Sequence, residues 1–345
     1  MKHIKLIFII ITGLAFMPLQ SDAQSYDSPV AYMEELSEVL DNTKRDTWRY
    51  VKAVTRGKRA RKIERKRENL LEEINDCKNE ILKMPKYETR DSLRIAVLDY
   101  LDMSYNVLKE DYDKILDMED IAEQSYDMME AYLLAKEKAS EKLNQSFDNL
   151  VNAQKKFAQK HGITLQDSEQ DRMTEKIVKA GQTLSYYNEV YLIFFKAYKE
   201  EAYVMEALDK NDIMSFEQST ASLEQFSKQG IEKLKNMDAY NGDPTLKNGA
   251  IKMLRFYIKE VNGDFATLTD FFIKKDNFEK IKKSFEAKSK RKRTKQDIKK
   301  YNKATKQYNA AAKKANKILN SGNKSRQRYL EAWNETVEEF FNRHN

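Results

Sequence analysis

The residue types that most often carry out enzyme chemistry are scarce in this 345-residue chain. Histidine occurs three times, at His3, His161 and His344, and Cys77 is the only cysteine. A di-iron bundle needs Glu-x-x-His on two helices, and a structural zinc site uses four Cys or His ligands. The sequence also holds no P-loop, no Gly-rich dinucleotide turn and no Gly-x-Ser-x-Gly elbow. We therefore predict no catalytic, cofactor-binding or metal-binding residues, and expect a protein that is not an enzyme and binds no cofactor.

Carboxylates are abundant, but their positions carry little information. Glu110, Asp111 and Asp117 lie close together in a chain of which 34% is charged, so such neighbours are expected by chance. The segment Asp209-Lys-Asn-Asp212 lacks the later acidic ligands and the Gly of an EF-hand loop, and we interpret it as a turn between helices. Only a pocket with two facing carboxylates of raised pKa would favour an enzyme.

Cations are concentrated in two stretches. Residues 56–67 contain eight Lys or Arg and one acid, Glu64, and residues 288–296, "KSKRKRTKQ", form a second basic stretch. One interpretation of the first stretch is a solvated helix face, partly paired with the acidic residues 110–127. The other is a docking surface for an anionic envelope partner, such as a phosphorylated glycolipid, a phospholipid surface or an acidic polysaccharide, with extracellular nucleic acid as a further candidate. Its candidate residues are Arg56, Lys58, Arg59, Arg61, Lys62, Arg65, Lys66 and Arg67.

The second basic stretch contains a helix-start signal. Thr294 and Asp297 have the spacing of a capping box, so we interpret this stretch as an exposed basic link between two helices.

An aromatic stripe follows helical spacing at Tyr187, Tyr191, Phe194 and Tyr198. Such a stripe belongs to a helical core in most proteins. The alternative is a groove between helices that carries a lipid or another apolar ligand.

The N-terminus resembles a secretory signal peptide. Lys2 and Lys5 precede an apolar run over residues 6–16, which is shorter than the roughly 20 residues that span a bilayer. Small residues at Ser21 and Ala23 predict cleavage after Ala23, so that residues 1–23 are removed. Ala23 followed by Gln24 resembles the export signals of Bacteroidota-type Gram-negative bacteria. This resemblance implies export to the periplasm or cell surface of such a bacterium. No cysteine lies near the cut, so a lipid anchor is not expected, and chromosomal DNA is not a plausible partner.

Hydrophobic spacing predicts an all-α fold. Ile63, Leu70, Cys77 and Met84 recur every seven residues, with Ile74 and Ile81 between them, and this pattern also predicts a buried Cys77. Ser28-Pro29 and Asp243-Pro244 each pair a good N-cap with Pro at the first helical position. Gly162 suits a helix C-cap. "NSGN", residues 320–323, is expected to separate two helices.

Shifting the chain by 153 residues brings its halves into partial register. Met84, Tyr87, Leu93 and Leu101 then match Met237, Tyr240, Leu246 and Leu254. We infer an internal duplication in an elongated bundle of long helices with coiled-coil-like packing. The predicted domains are residues 24–165 and 166–345, sharing a long helix, with loops near 85 and 241.

Four segments resemble an uncharacterised family of exported helical proteins from Bacteroidota and spirochaetes, a leptospiral-type surface-protein family. They are "SPVAYMEELSEVL", "DTWRYVKAVTRGKRARKIERKRENLL", "SYNVLKEDYDKILDMEDIAEQSYDMMEAYLLA" and "YYNEVYLIFFKAYKEEAY". The resemblance implies an envelope or surface location and no assigned reaction. Some members look lipid-anchored, whereas this chain lacks a lipobox cysteine. The leading hypothesis is thus a non-enzymatic binding or scaffold protein, and the alternative is a carrier of an apolar ligand.

Overall fold

The computed structural model describes residues 26–55, 60–165 and 169–344. Within these ranges the chain is helical, and apart from an isolated bridge between Tyr240 and Asp243 no β-structure is present. The prediction of an all-α bundle is confirmed. The predicted signal peptide, residues 1–23, and the basic residues Arg56, Lys58 and Arg59 lie outside the described residues. None of the described helices is both long enough and apolar enough to cross a bilayer.

Ten α-helices are described along these ranges. They are α1 (Pro29–Thr55), α2 (Ala60–Lys83), α3 (Ser92–Asn106), α4 (Tyr112–Ala122), α5 (Tyr126–Lys160), α6 (Glu169–Asp209), α7 (Ile213–Asn236), α8 (Thr245–Glu260), α9 (Ala266–Glu286) and α10 (Lys295–His344). A π-helical turn, Val107–Asp111, joins α3 to α4, and a second one, Val261–Phe265, joins α8 to α9. A short 3-10 turn, Lys290–Lys292, precedes α10.

Packing divides the chain into two units. The first comprises the described residues through Tyr186 together with those from Phe341 onward, and the second is Tyr187–Phe340. The division falls within α6, so this helix contributes residues to both units. The sequence places the domain boundary earlier, between residues 165 and 166, where α5 has ended.

The core of the first unit contains the heptad positions that the sequence indicates. Leu70, Ile74, Cys77 and Ile81 are all at most 2% exposed on the inner face of α2. They pack in one cluster with residues of α1, α3 and α5, among them Leu36 and Leu101. Burial raises the pKa of the Cys77 thiol to about 11, which keeps it protonated and unreactive. The prediction of a buried Cys77 is confirmed.

The second unit is packed around phenylalanine side chains of α7, α9 and the π-turn between α8 and α9. Phe216 meets Phe265 and Phe272 edge to face, with ring centroids 5.9 and 5.4 Å apart. Gly230 of α7 permits a close approach, because a Cβ there would lie 2.8 Å from Leu254 Cδ1. Leu254 is itself fully buried.

Several predicted helix ends are confirmed. Ala31 N donates to Ser28 Oγ at 3.1 Å, so Ser28 caps α1 before Pro29. Gly162 has φ +65° and ends α5 in a Schellman motif, in which Ile163 N bonds to the Ala158 carbonyl at 2.8 Å. Asp209 ends α6, and Asp212 caps α7 by accepting from Ser215 N.

Two predicted helix boundaries are corrected. α8 begins at Thr245, one residue after Pro244, although Asp243 still accepts from Thr245 N at 2.9 Å. α10 runs unbroken through residues 320–323, so "NSGN" does not separate two helices. A glycine inside a helix costs only about 1 kcal/mol relative to alanine. Side chains on either side of this segment, including Ala315 and Trp333, are buried and hold the helix together.

The two halves of the chain repeat the same order of elements. Adding 153 to both bounds of α2 gives the bounds of α7, and adding 153 to the first residue of α3 gives that of α8. A π-helical turn follows α3 and α8 alike. This recurrence has the offset that the sequence comparison indicates.

Candidate functional site

The described part of the basic stretch lies on the first two turns of α2. Arg61, Lys62 and Arg65 are exposed and Lys66 is half-buried. None of the four forms an ion pair with an acidic side chain that the structure describes. Together they present a row of charge on one end of the helix, and we call these four residues the α2 basic face.

Arg67 is a correction to the candidate surface, because it is buried and paired. Its guanidinium binds Glu64 at 2.6 Å and Asp113 at 2.8 Å, and Nη1 donates to the Leu108 carbonyl at 2.6 Å. Leu108 lies in the π-turn, whose altered backbone bonding permits a side chain to reach a carbonyl. The hydrogen bonds that Arg67 donates to the Glu64 carboxylate raise the pKa of Arg67, which keeps this arginine charged. Arg67 therefore fixes α2 to the π-turn and to the acidic segment, and is not available to a partner.

The second basic stretch forms the tip of an antiparallel hairpin between α9 and α10. Phe285 stacks on Tyr301 with ring centroids 4.5 Å apart, and Phe278 stacks on Tyr308 at 4.8 Å. Thr294 and Asp297 form the predicted capping box: Asp297 N donates to Thr294 Oγ1 at 3.1 Å, and Thr294 N donates to Asp297 Oδ2 at 2.8 Å. The link between the helices is thus ordered by its own residues.

The aromatic stripe is packed within the second unit. Tyr187 stacks on Tyr191 at 5.6 Å, Phe194 contacts Tyr198 at 5.7 Å, and Phe194 also contacts Trp333 of α10 at 5.1 Å. Phe194 is buried, and the three tyrosines are half-buried. Neighbouring rings therefore cover much of this stripe. Binding of an apolar ligand there stays a prediction.

An open cleft of about 820 Å³ lies beside the stripe, between α6 and α10. Its volume falls in the range of about 300–1,000 Å³ that is typical of small-ligand sites. The apolar part of its wall comes from Tyr198, Ala202, Met205 and Leu330. The charged part is mainly acidic, and its members are Glu201, Glu206, Asp209, Lys210, Arg326 and Glu331.

A buried charge cluster adjoins this cleft. Arg326 Nη1 donates to Glu260 Oε1 at 2.7 Å, and Arg326 Nε lies 3.1 Å from Glu201 Oε1 without the direction of a hydrogen bond. Glu260 Oε2 is buried and has no hydrogen-bond partner among the described residues. Two carboxylates thus share one guanidinium, and we call these three residues the Glu-Arg-Glu triad.

Burial raises the pKa of both carboxyl groups in the triad. The pKa of Glu260 reaches about 8, because desolvation and the nearby Glu201 outweigh the attraction of Arg326. Desolvation likewise raises the pKa of Glu201. At neutral pH Glu260 is therefore largely protonated, which leaves Arg326 with one carboxylate to neutralise it.

The triad does not have the arrangement that would favour an enzyme. Arg326 lies between the two carboxyl groups, and of the two glutamates Glu201 borders the cleft whereas Glu260 does not. Glu110 and Asp111 remain at the first π-turn, where Asp111 pairs with Lys142 at 2.5 Å. Among the described residues, no group of three or more His, Cys, Asp or Glu side chains could hold a metal ion.

Sequence reasoning missed the triad because its members are far apart in the chain. Arg326 and Glu260 are separated by 66 residues, and no spacing rule connects them. Each glutamate also looks like an ordinary helix-surface residue in a highly charged chain. The sequence contains only a weak indication that Glu201 is buried. It lies three residues after Tyr198, the last residue of the aromatic stripe, and therefore on the same face of the helix.

Comparison with protein-family models, curated proteins and solved structures finds no match to this chain.

Proposed function

We propose that this chain is an exported, non-enzymatic binding or scaffold protein of a Gram-negative cell envelope. It works in the periplasm or at the cell surface, without a lipid anchor, and holds an anionic macromolecule on the α2 basic face. The signal-peptide pattern of residues 1–23 and the resemblance to exported surface proteins support the location.

One observation carries the binding proposal. Three of the four residues of the α2 basic face are exposed to solvent, and none of the four pairs with a described acidic side chain. This holds although Glu64 and Asp113 lie at the same end of the helix. Arg67, one turn further along, takes up both Glu64 and Asp113. Unneutralised cations in a row along a helix attract polyanions and release their counterions on binding.

The binding role is favoured over catalysis by the state of the acidic groups. The two buried carboxyl groups of the second unit are both engaged by Arg326, so they are held as a structural cluster. The cleft beside them is open rather than enclosed, which gives little exclusion of water from a reaction.

The experiment is a triple charge reversal, Arg61→Glu, Lys62→Glu and Arg65→Glu, assayed on an immobilised sulfated polysaccharide. We expect at least tenfold weaker binding near 0.15 M salt, since three exposed cations become repulsive. The logarithm of the binding constant decreases with the logarithm of the salt concentration, and the steepness of this decrease should be smaller by about three, roughly one for each lost contact.

The matched control reverses three other exposed lysines of the first unit, Lys86, Lys155 and Lys156, and changes the net charge equally. This control should bind within about twofold of the unaltered protein. Equal losses in both variants would mean that only net charge matters, and the α2 basic face would then have no special role. Circular dichroism verifies that each variant keeps its helices.

A further inference from the structure

The tip of the α9–α10 hairpin carries a second, separate concentration of exposed charge. Between residues 286 and 300 the chain has eight basic and two acidic residues. Lys290, Arg291 and Lys292 are exposed on the 3-10 turn, and Lys295, Lys299 and Lys300 are exposed on the first turns of α10. None of these six forms an ion pair with a described acidic side chain. We call them, with Ile298, the hairpin tip.

Internal contacts hold the hairpin tip in one shape. Arg293 turns inward: its Nε donates to the Phe285 carbonyl at 3.2 Å and the Lys288 carbonyl at 3.0 Å, and its guanidinium lies 4.3 Å from the Phe285 ring centroid. Lys288 pairs with Asp297 at 2.7 Å. These two cations are used for structure, and the other six remain directed to solvent on an ordered turn.

An apolar side chain stands among these cations. Ile298 is 45% exposed on α10, next to Lys299 and one helical turn from Lys295. Proteins that bind a membrane surface combine Lys and Arg with apolar side chains that enter the interface of the bilayer.

We propose that the hairpin tip binds the surface of a bilayer that contains anionic phospholipid. The cations would lie over the lipid phosphates while Ile298 enters the boundary between headgroups and acyl chains. Clusters of four to eight Lys or Arg residues at a membrane surface are typical of segments that bind anionic lipid headgroups. The apolar residue favours a lipid surface over a soluble polyanion, which has no apolar layer to receive it. This surface belongs to the second unit and does not depend on the α2 basic face.

The test uses the chain without its signal peptide and sedimentation with two kinds of vesicle. One kind is pure phosphatidylcholine, and the other contains about 30% phosphatidylglycerol. We expect binding to the anionic vesicles alone. The triple variant Lys290→Glu, Arg291→Glu and Lys292→Glu should lose at least tenfold in affinity. A matched control reverses Lys313, Lys314 and Lys317, which are exposed on the same α10, and should bind within about twofold of the unaltered protein.

A second variant distinguishes lipid from other anions. Ile298→Ser keeps every charge, and should weaken vesicle binding about threefold or more while leaving binding to the sulfated polysaccharide unchanged. Failure to bind anionic vesicles, equal losses in the control, or full binding by Ile298→Ser would each overturn the proposal. The α2 variant Arg61→Glu, Lys62→Glu, Arg65→Glu should still bind vesicles, so that failure of the polysaccharide experiment leaves this proposal standing.

Discussion

At the scale of single residues, the Glu-Arg-Glu triad sets the electrostatics of the second unit. Glu260 is 3% exposed, and its side chain meets a guanidinium that Glu201 also occupies. Two ionised carboxylates beside one buried cation would leave an unbalanced negative charge on largely buried side chains. Burying such a charge is costly, and a protein avoids that cost by keeping one group protonated. The pKa of Glu260 is therefore raised to about 8, so that this carboxyl group is the one that stays protonated at neutral pH.

Replacing Glu260 with Gln should change how stability depends on pH. The pKa of Glu260 is about 8 in the folded chain, against a usual value of 4.5. Because the pKa of Glu260 is higher in the folded than in the unfolded chain, Glu260 contributes its full stabilisation below about pH 4.5. This contribution disappears as pH rises through 8. The glutamine of Glu260→Gln cannot ionise, so the variant does not lose this contribution. As pH rises from 5 to 9, its free energy of unfolding should therefore increase by on the order of 3 kcal/mol relative to that of the unaltered protein. Urea unfolding at several pH values measures this.

The control for that measurement is Glu217→Gln, on an exposed glutamate of α7. Its free energy of unfolding should follow that of the unaltered protein across the whole pH range. If Glu260→Gln did the same, the carboxyl group of Glu260 would have to be ionised in the folded chain, contrary to its burial.

At the scale of elements, the start of α10 is stabilised by a capping box and one ion pair. The hydrogen bond from Lys288 and those from Thr294 lower the pKa of Asp297 to about 2, against a usual value of 3.8. A lowered folded-state pKa means that the contribution is present above pH 3.8 and is lost as pH falls through about 2. The hairpin tip is therefore expected to keep its order in mild acid.

Lys288→Met should make this helix start sensitive to mild acid. The hydrogen bond from Lys288 is the largest contribution to the lowered pKa of Asp297, so without it this pKa moves up toward 3.8. Near pH 3 the carboxylate is then partly protonated, and the cap weakens. The reporter is the amide of Ile298, which donates to the Thr294 carbonyl at 3.1 Å. Its hydrogen exchange at pH 3 should be about two- to threefold faster in the variant, as measured by NMR.

Lys280→Met provides the comparison, because it removes an ion pair with Asp276 from the surface of α9 and leaves the cap intact. Exchange at Ile298 should not change in that variant. An unchanged rate in Lys288→Met as well would show that the hydrogen bonds from Thr294 are enough to hold the cap.

Helix ends were predictable where a local motif defines them. Ser28, Gly162 and the pair Thr294 and Asp297 act on residues within four positions, and such short-range chemistry can be read directly from the sequence. The continuity of α10 through Gly322 could not be predicted, because side chains from elsewhere decide it. Arg326, which packs its guanidinium 3.3 Å from where a Cβ of Gly322 would stand, is bound by Glu260 of another helix. The two π-helical turns also could not be predicted, because no residue type is characteristic of them.

At the scale of the whole molecule, hydrophobic period and the offset of 153 were enough to predict the fold class and the repeated order of elements. Both depend on many residues at once, so single exceptions do not obscure them. The candidate surfaces depend on individual partners instead. The sequence located both basic stretches, but it could not show that Arg67, Lys288 and Arg293 are used internally while their neighbours remain exposed.

The envelope proposal depends on the prediction that the whole chain is exported, and cleavage after Ala23 would test this prediction. Expressed in a Gram-negative host, the protein should appear in the periplasmic fraction with an intact mass that begins at Gln24. Ala23→Leu places a large residue where the processing enzyme accepts small ones, so this variant should keep residues 1–23 and stay with the membrane fraction. Removal of Lys2, Lys5 and Asp22 lowers the net charge from +7 to +6, which leaves both basic surfaces intact. A full-length chain in the cytoplasm would instead separate these cations from any envelope partner, and both binding proposals would lose their setting.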